Sequence, residues 1–391
     1  MLVCASCKGE MGQSGGMASE PRFDNLQGLR GFAALLVLVE HTANAISTRF
    51  LGVSPYDSPL AIFPFAAGVD IFFVISGFII AFSSRSLFGK PGAWKSFLLR
   101  RLARVVPLYW LMTGVMICAF ILIGSRAWSD TSWSSVAASF LFLPAVNVDG
   151  ITSPILAIGW TLNYEMAFYA LFAVALCFSQ GIALVFIVGM LVLPAVLGKL
   201  FEPATLALQF WTNPIVLEFA AGVCLYELHR SGKLALPGIA QICLSLTALF
   251  CFAMTASEPG PWRWIVWGGP AALLVAAALG TAALQGKLAR GGSRAGDWSY
   301  GIYLTHFPIV MIGSMTCQVL FPQTNWVWFG LFPVFVLIAT LAAAALLYRV
   351  VERPFMDLAS QAGAHQNRPQ GPHAGEALIS ATRPNMVRDH I

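Results

Sequence analysis

Arg30 and His41 stand eleven residues apart in the stretch LQGLRGFAALLVLVEH. On an α-helix, eleven steps of about 100° return to within about 20° of the starting direction while rising about 16 Å. The two side chains therefore point the same way at different depths. A guanidinium suits an anion such as phosphate, and an imidazole suits proton transfer near neutral pH. Arg101 and Arg104 share one helix face at i, i+3 spacing. They either grip phosphates bidentately or only orient their segment among lipid headgroups, the role assigned to Arg100 beside them. Asp70, Glu165 and His41 are expected at similar depth, where a carboxylate would fix the imidazole in one tautomer and make it a general base. The alternative for each is a structural ion pair or an interhelical hydrogen bond. Glu40 projects about 100° away from His41 and is read as a packing residue. His306 is placed nearer the cytoplasmic side, as a pathway residue or a packing donor. Glu218 and Glu227 are read as structural.

The elements that position these groups must be membrane helices. Of 391 residues, 58% are hydrophobic and 10% are charged, against roughly 25% charged in a soluble domain. Apolar residues fall in unbroken blocks such as Ile71 to Phe82 rather than at the spacing of an amphipathic surface helix. The expectation is an all-α polytopic membrane protein with about ten transmembrane helices, over residues 29–48, 62–83, 103–124, 155–178, 181–198, 209–228, 236–254, 262–284, 299–320 and 327–350. Arg85, Lys90, Lys95, Arg100, Arg101, Arg230, Lys233, Lys287, Arg290 and Arg294 cluster in the even-numbered connections. The positive-inside rule then places both termini in the cytoplasm. The net charge of +5 is read as topological, and no nucleic-acid partner is expected.

The membrane domain is expected over residues 26–356, between polar disordered tails at 1–25 and 357–391. Residues 1–22 contain no apolar run of signal-peptide length. Cys4 and Cys7 form a single CxxC with no second pair, so no metal site is expected. The other six cysteines lie in apolar segments and are read as small packing residues. Val136 to Leu143 is too short to span and is read as a re-entrant or interfacial segment over an outward cavity.

Six segments, in order, resemble the integral-membrane acyltransferase family 3. LQGLRGFAALLVLVEH preserves its first-helix Arg and His, and GVDIFFVISGFII from Gly68 is similar to its second-helix signature. RRLARVVPLYW from Arg100 resembles its third-helix entry. WTLNYEMAFY from Trp160 resembles its fourth block, with Glu165 at the acidic position. DWSYGIYLTH from Asp297 and VERP from Val351 are similar to its C-terminal markers. The fourth block most resembles the exopolysaccharide O-acetyltransferase branch.

The resemblance implies an enzyme that moves an acyl group, often acetyl, from cytoplasmic acyl-CoA to a hydroxyl of a carbohydrate such as an exopolysaccharide or a lipid-linked glycan. It implies Arg30 and His41 as the essential pair and Arg101 with Arg104 as donor-side residues. The expected assignment is thus His41 and Glu165 as catalytic, Arg30, Arg101 and Arg104 as acyl-CoA-binding, and Asp70 and His306 as supporting, in a multi-pass protein of the cell membrane. No cofactor is expected to be bound permanently; acyl-CoA is the donor substrate, and membrane lipids surround the chain. A secondary transporter or flippase, using the same ionisable groups as a substrate or proton path, is the alternative from another class.

Overall fold

The computed structural model describes residues 23–146, 152–255, 259–280 and 286–366. Cys4, Cys7 and the outer parts of both expected tails lie outside the described residues. Among the described residues there is no β-strand, and the chain is all-α. In order, the helices are α1 Asp24–Ile46, α2 Gly68–Ser83, α3 Ala93–Leu122, α4 Arg126–Ser129 and α5 Trp133–Phe140. Next come α6 Trp160–Ala175, α7 Gln180–Phe201, α8 Leu206–Trp211, α9 Leu217–Arg230 and α10 Gly238–Ala253. The last are α11 Arg263–Val266, α12 Gly268–Ala278, α13 Gly286–Leu320, α14 Phe332–Leu347 and α15 Arg353–Gln366.

Seven helical stretches among the described residues are long and apolar enough to cross a bilayer: Asp24–Leu51, Phe65–Ser83, Ala93–Leu122, Gln180–Phe201, Leu206–Arg230, Gly291–Leu320 and Val327–Ala362. The other three expected spans fall on α6, on α10 and on α11 with α12, which are shorter helices. Large apolar side chains such as Val185, Leu200, Ile239, Phe250 and Ile338 are exposed, as a lipid-facing surface requires.

Two corrections to the sequence reading concern helix ends. Helix α13 begins at Gly286, thirteen residues before the expected span, because its first turns are polar and a hydropathy window does not register them. Helix α15 continues to Gln366, so residues 357–366 are helical rather than a disordered tail. Helix α5 is short, as expected, but packs on α3: the Tyr109 hydroxyl donates to the Ser139 carbonyl at 3.0 Å and the Trp110 indole to the Phe140 carbonyl at 2.9 Å.

The packing that matters most for the site is α1 on α13. They run parallel in constant register, with Gly28 against Gly292, Gly31 against Ala295 and the rings of His41 and His306 side by side. Absence of a side chain permits this approach, since a Cβ on Gly296 would meet the Gln27 carbonyl. Helix α2 crosses α9 by the same device. A Cβ on Gly77 would meet the Phe219 carbonyl, and one on Gly222 the Val74 carbonyl. Small residues at contact points are how helices approach closely in lipid, where no hydrophobic force draws them together.

Candidate active site

Three cavities follow one another through the bundle, the middle one enclosed by helices α1, α2, α3, α6 and α13. The first is a vestibule of about 520 Å³ at the end of the bundle where α2 ends and α3 begins, lined by Ser83, Ser84, Ser86, Arg100, Arg101 and Arg104 among others. Arg101 and Arg104 also line the second, a narrow space of about 100 Å³ that Arg30, Glu165, Tyr169 and Tyr303 help to enclose. Val69 and Tyr303 line both this space and the third, a wide cavity of about 1160 Å³ at the other end of the bundle, where His41 lies.

Positive side chains outnumber negative ones around the narrow space. Three arginines face one carboxylate, Glu165, among its lining residues. Arg101 and Arg104 are well inside helix α3, which starts at Ala93, and not in its first turn as expected from the span boundary. The Arg101 guanidinium donates to Ser83 Oγ at 2.5 Å and lies 5.5 Å from the Phe97 ring centroid. The Tyr169 hydroxyl donates to Glu165 Oε1 at 2.5 Å, an i, i+4 contact along α6. Ile75, Ile79 and Ile80 of α2 give the same space an apolar part. Guanidinium and aliphatic groups lining one space suit a ligand with an anionic head and an uncharged arm.

At the wide cavity, His41 Nδ1 is 2.9 Å from the Val37 carbonyl oxygen. A carbonyl can only accept, so Nδ1 carries the proton and Nε2 is left with the lone pair. That is the tautomer a general base requires. His306 is fully buried, its Nδ1 is 3.1 Å from the Ile302 carbonyl, and its ring centroid is 4.9 Å from that of His41. It therefore stands at the level of His41 and not nearer the cytoplasmic rim. The early start of α13 puts His306 twenty residues into that helix, about 30 Å along its axis.

The structure does not bring Asp70 and Glu165 to His41. Glu165 faces the arginines. Asp70 is completely buried and is bound by Arg263, whose Nε and Nη2 reach its two carboxylate oxygens at 3.1 and 2.8 Å. Arg263 also lies 4.8 Å from the Trp267 ring centroid and 5.9 Å from that of Trp160. This bidentate pair joins α2 to α11 and fixes one wall of the wide cavity. Glu218 is buried close to Gly268, and Glu227 pairs with Arg230 on the surface at 2.6 Å. Breaking a buried pair leaves one charge without its partner. Asp70→Ala is therefore expected to lower stability by about 3 kcal/mol, read as earlier loss of monodisperse protein on heating in detergent. Wild-type heat resistance in that variant would show that the pair does not hold the wall.

Arg263 and Tyr303 escaped the sequence reading. Asp70 and Arg263 are 193 residues apart, and no local pattern announces the pair. Tyr169 did carry a signal, its i, i+4 spacing from Glu165.

The geometry agrees with what comparison with other proteins finds. Residues 23–349 match the acyltransferase domain of the acyltransferase 3 family. This chain is a member of that family. It is an acyltransferase, and the transporter alternative gives way to that assignment. It is similar to the exopolysaccharide production protein ExoZ of Rhizobium meliloti, 36% identical over 249 residues that cover 62% of this chain and 75% of the relative. It is also similar to the acyltransferase MdmB of Streptomyces mycarofaciens, 28% identical over 380 residues, or 86% of this chain and 92% of the relative. The peptidoglycan O-acetyltransferase OatA of Listeria monocytogenes is 24% identical over 324 residues, or 73% of this chain and 50% of the relative. No solved structure matches this chain.

Proposed function

We propose that this acyltransferase takes an acyl group, acetyl in the simplest case, from acyl-CoA entering at the vestibule and passes it to a hydroxyl of a glycan held in the wide cavity. The observation that carries this reading is the succession of cavities with shared walls, arginines at one end and His41 at the other. Arg30, Arg101 and Arg104 would hold the phosphates of CoA, and the uncharged pantetheine arm would lie along the isoleucine wall toward His41. Relatives whose names give exopolysaccharide production and peptidoglycan O-acetylation favour a carbohydrate acceptor. The positive-inside rule puts the vestibule and both termini on the cytoplasmic side of the cell membrane, where acyl-CoA is available.

In the transfer, His41 Nε2 takes the proton of the acceptor hydroxyl as its oxygen attacks the thioester carbonyl. The C–S bond then breaks, and the CoA thiolate leaves and recovers the proton from the imidazolium. Glu165, held by Tyr169, lines the same space as the arginines, where it offsets part of their charge. If instead His41 accepts the acyl group itself, a burst of free CoA would precede acceptor binding, which rapid-mixing kinetics would detect. The substrate class is tested by mass spectrometry of surface glycans from cells with and without the gene. Acyl groups on glycan hydroxyls should disappear with the gene and return on complementation. Identical glycans in both would contradict the proposed acceptor.

A further inference from the structure

The two walls that divide the three cavities differ in kind. Arg101 and Arg104, between the vestibule and the narrow space, are long side chains whose charged ends can swing. Between the narrow space and the wide cavity stand Val69 and the ring of Tyr303. Tyr303 is 6% exposed, and its hydroxyl is anchored to the start of α6. It donates to the Ile158 carbonyl at 2.9 Å and lies 2.8 Å from Thr161 Oγ1, whose own hydroxyl is 3.1 Å from the same carbonyl. The ring meets Phe72 edge-on at 5.9 Å and lies 5.9 Å from the ring of His306. Glu165 is one turn beyond Thr161 on the same face of α6. A thioester drawn from the arginines to His41 has to pass this ring, as does water moving the other way.

We propose that Tyr303 is the barrier between the two compartments, a specificity-determining residue that sets whether the acyl group goes to the acceptor hydroxyl or to water. The role in partition rests on the donor and acceptor sites proposed above; the barrier itself rests on the cavity walls alone. Water reaching the thioester would attack its carbonyl in place of the acceptor, break the C–S bond and release the free acid and CoA thiol. The hydroxyl anchors hold the ring across the passage until the arm of the donor displaces it.

The test places Ser76→Cys, on the narrow space, in the otherwise wild-type chain and together with Tyr303→Phe or Tyr303→Ala. Sealed right-side-out and inside-out membrane vesicles are treated with a membrane-impermeant maleimide, and modification at residue 76 is followed by peptide mass spectrometry. From the side where the wide cavity opens, labelling should be about tenfold faster in Tyr303→Ala, and several-fold faster in Tyr303→Phe, which keeps the ring and loses its hydrogen bonds. From the arginine side it should not change. The phenylalanine variant decides the matter if the alanine variant does not fold. Equal labelling rates in wild type and in the folded variants, from both sides, would overturn the barrier. In a parallel arm, purified protein is given labelled acyl-CoA with and without acceptor, and the ratio of hydrolysis to transfer should rise about tenfold in Tyr303→Ala. A wild-type protein that consumes no acyl-CoA would sink the donor assignment, while the labelling rates would still decide the barrier. Faster labelling with an unchanged ratio would keep the barrier and overturn its role in partition.

Discussion

Replacing His41 with alanine is expected to lower acyl transfer by about 10²- to 10⁴-fold, the usual worth of a positioned general base. The amount of inserted, folded protein should stay near that of wild type. The imidazole lines a wide cavity rather than filling a packed core, and its backbone partner, the Val37 carbonyl, belongs to its own helix. Its loss removes a group that acts in the transition state and two ring contacts to α13, with His306 and Phe307, while the close glycine contacts between α1 and α13 remain. His41→Gln keeps a side chain of similar bulk and should be as inactive. Turnover within a few-fold of wild type in either variant would remove His41 from the chemistry.

The second large effect is expected at the arginines. Arg101→Ala and Arg104→Ala should each raise the KM for acyl-CoA far more than the KM for acceptor. Each removes charge-assisted hydrogen bonds to phosphate, at about 1.5 to 3 kcal/mol apiece, or roughly ten- to a hundredfold in donor affinity. These bonds exist in the ground state as well as the transition state, so binding should suffer before kcat does. Lysine should rescue only in part, because an ammonium keeps the charge and loses the planar fork. The competing role, orientation of the helix, makes the opposite forecast: lysine would rescue fully and alanine would reduce correctly inserted protein. The positions within the structure favour binding over orientation, since both arginines lie inside α3 and wall two cavities at once.

Much of this arrangement was legible in the sequence. Unbroken apolar blocks identify the membrane helices, because lipid requires apolar surface all round. The eleven-residue interval from Arg30 to His41 set the two side chains at different depths on one face of α1, and the structure has Arg30 beside Arg101 and Arg104 and His41 at the wide cavity. Depth along other helices was less legible. Hydropathy locates where a helix is apolar and not where it starts, so the polar opening of α13 moved His306 to the wrong level. Counting residues also set Asp70, Glu165 and His41 at one depth, yet the three face different neighbours. Thr161 and Glu165 lie on one face of α6, with Tyr303 against the first, which leaves Glu165 on the arginine side of that ring. Which partner a buried charge takes is settled by tertiary packing, as with Asp70 and Arg263, and a single sequence contains no periodic trace of that choice.

The division of labour between the two ends of the bundle is tested most directly by measuring, on purified protein in detergent, both equilibrium binding of acyl-CoA and transfer of its label to acceptor. The expected result is that His41→Ala binds acyl-CoA with the wild-type Kd and transfers its label about 10²- to 10⁴-fold more slowly, while the Arg101→Ala, Arg104→Ala double variant loses binding. Loss of binding in His41→Ala, or unchanged donor affinity in the folded double variant, would contradict it.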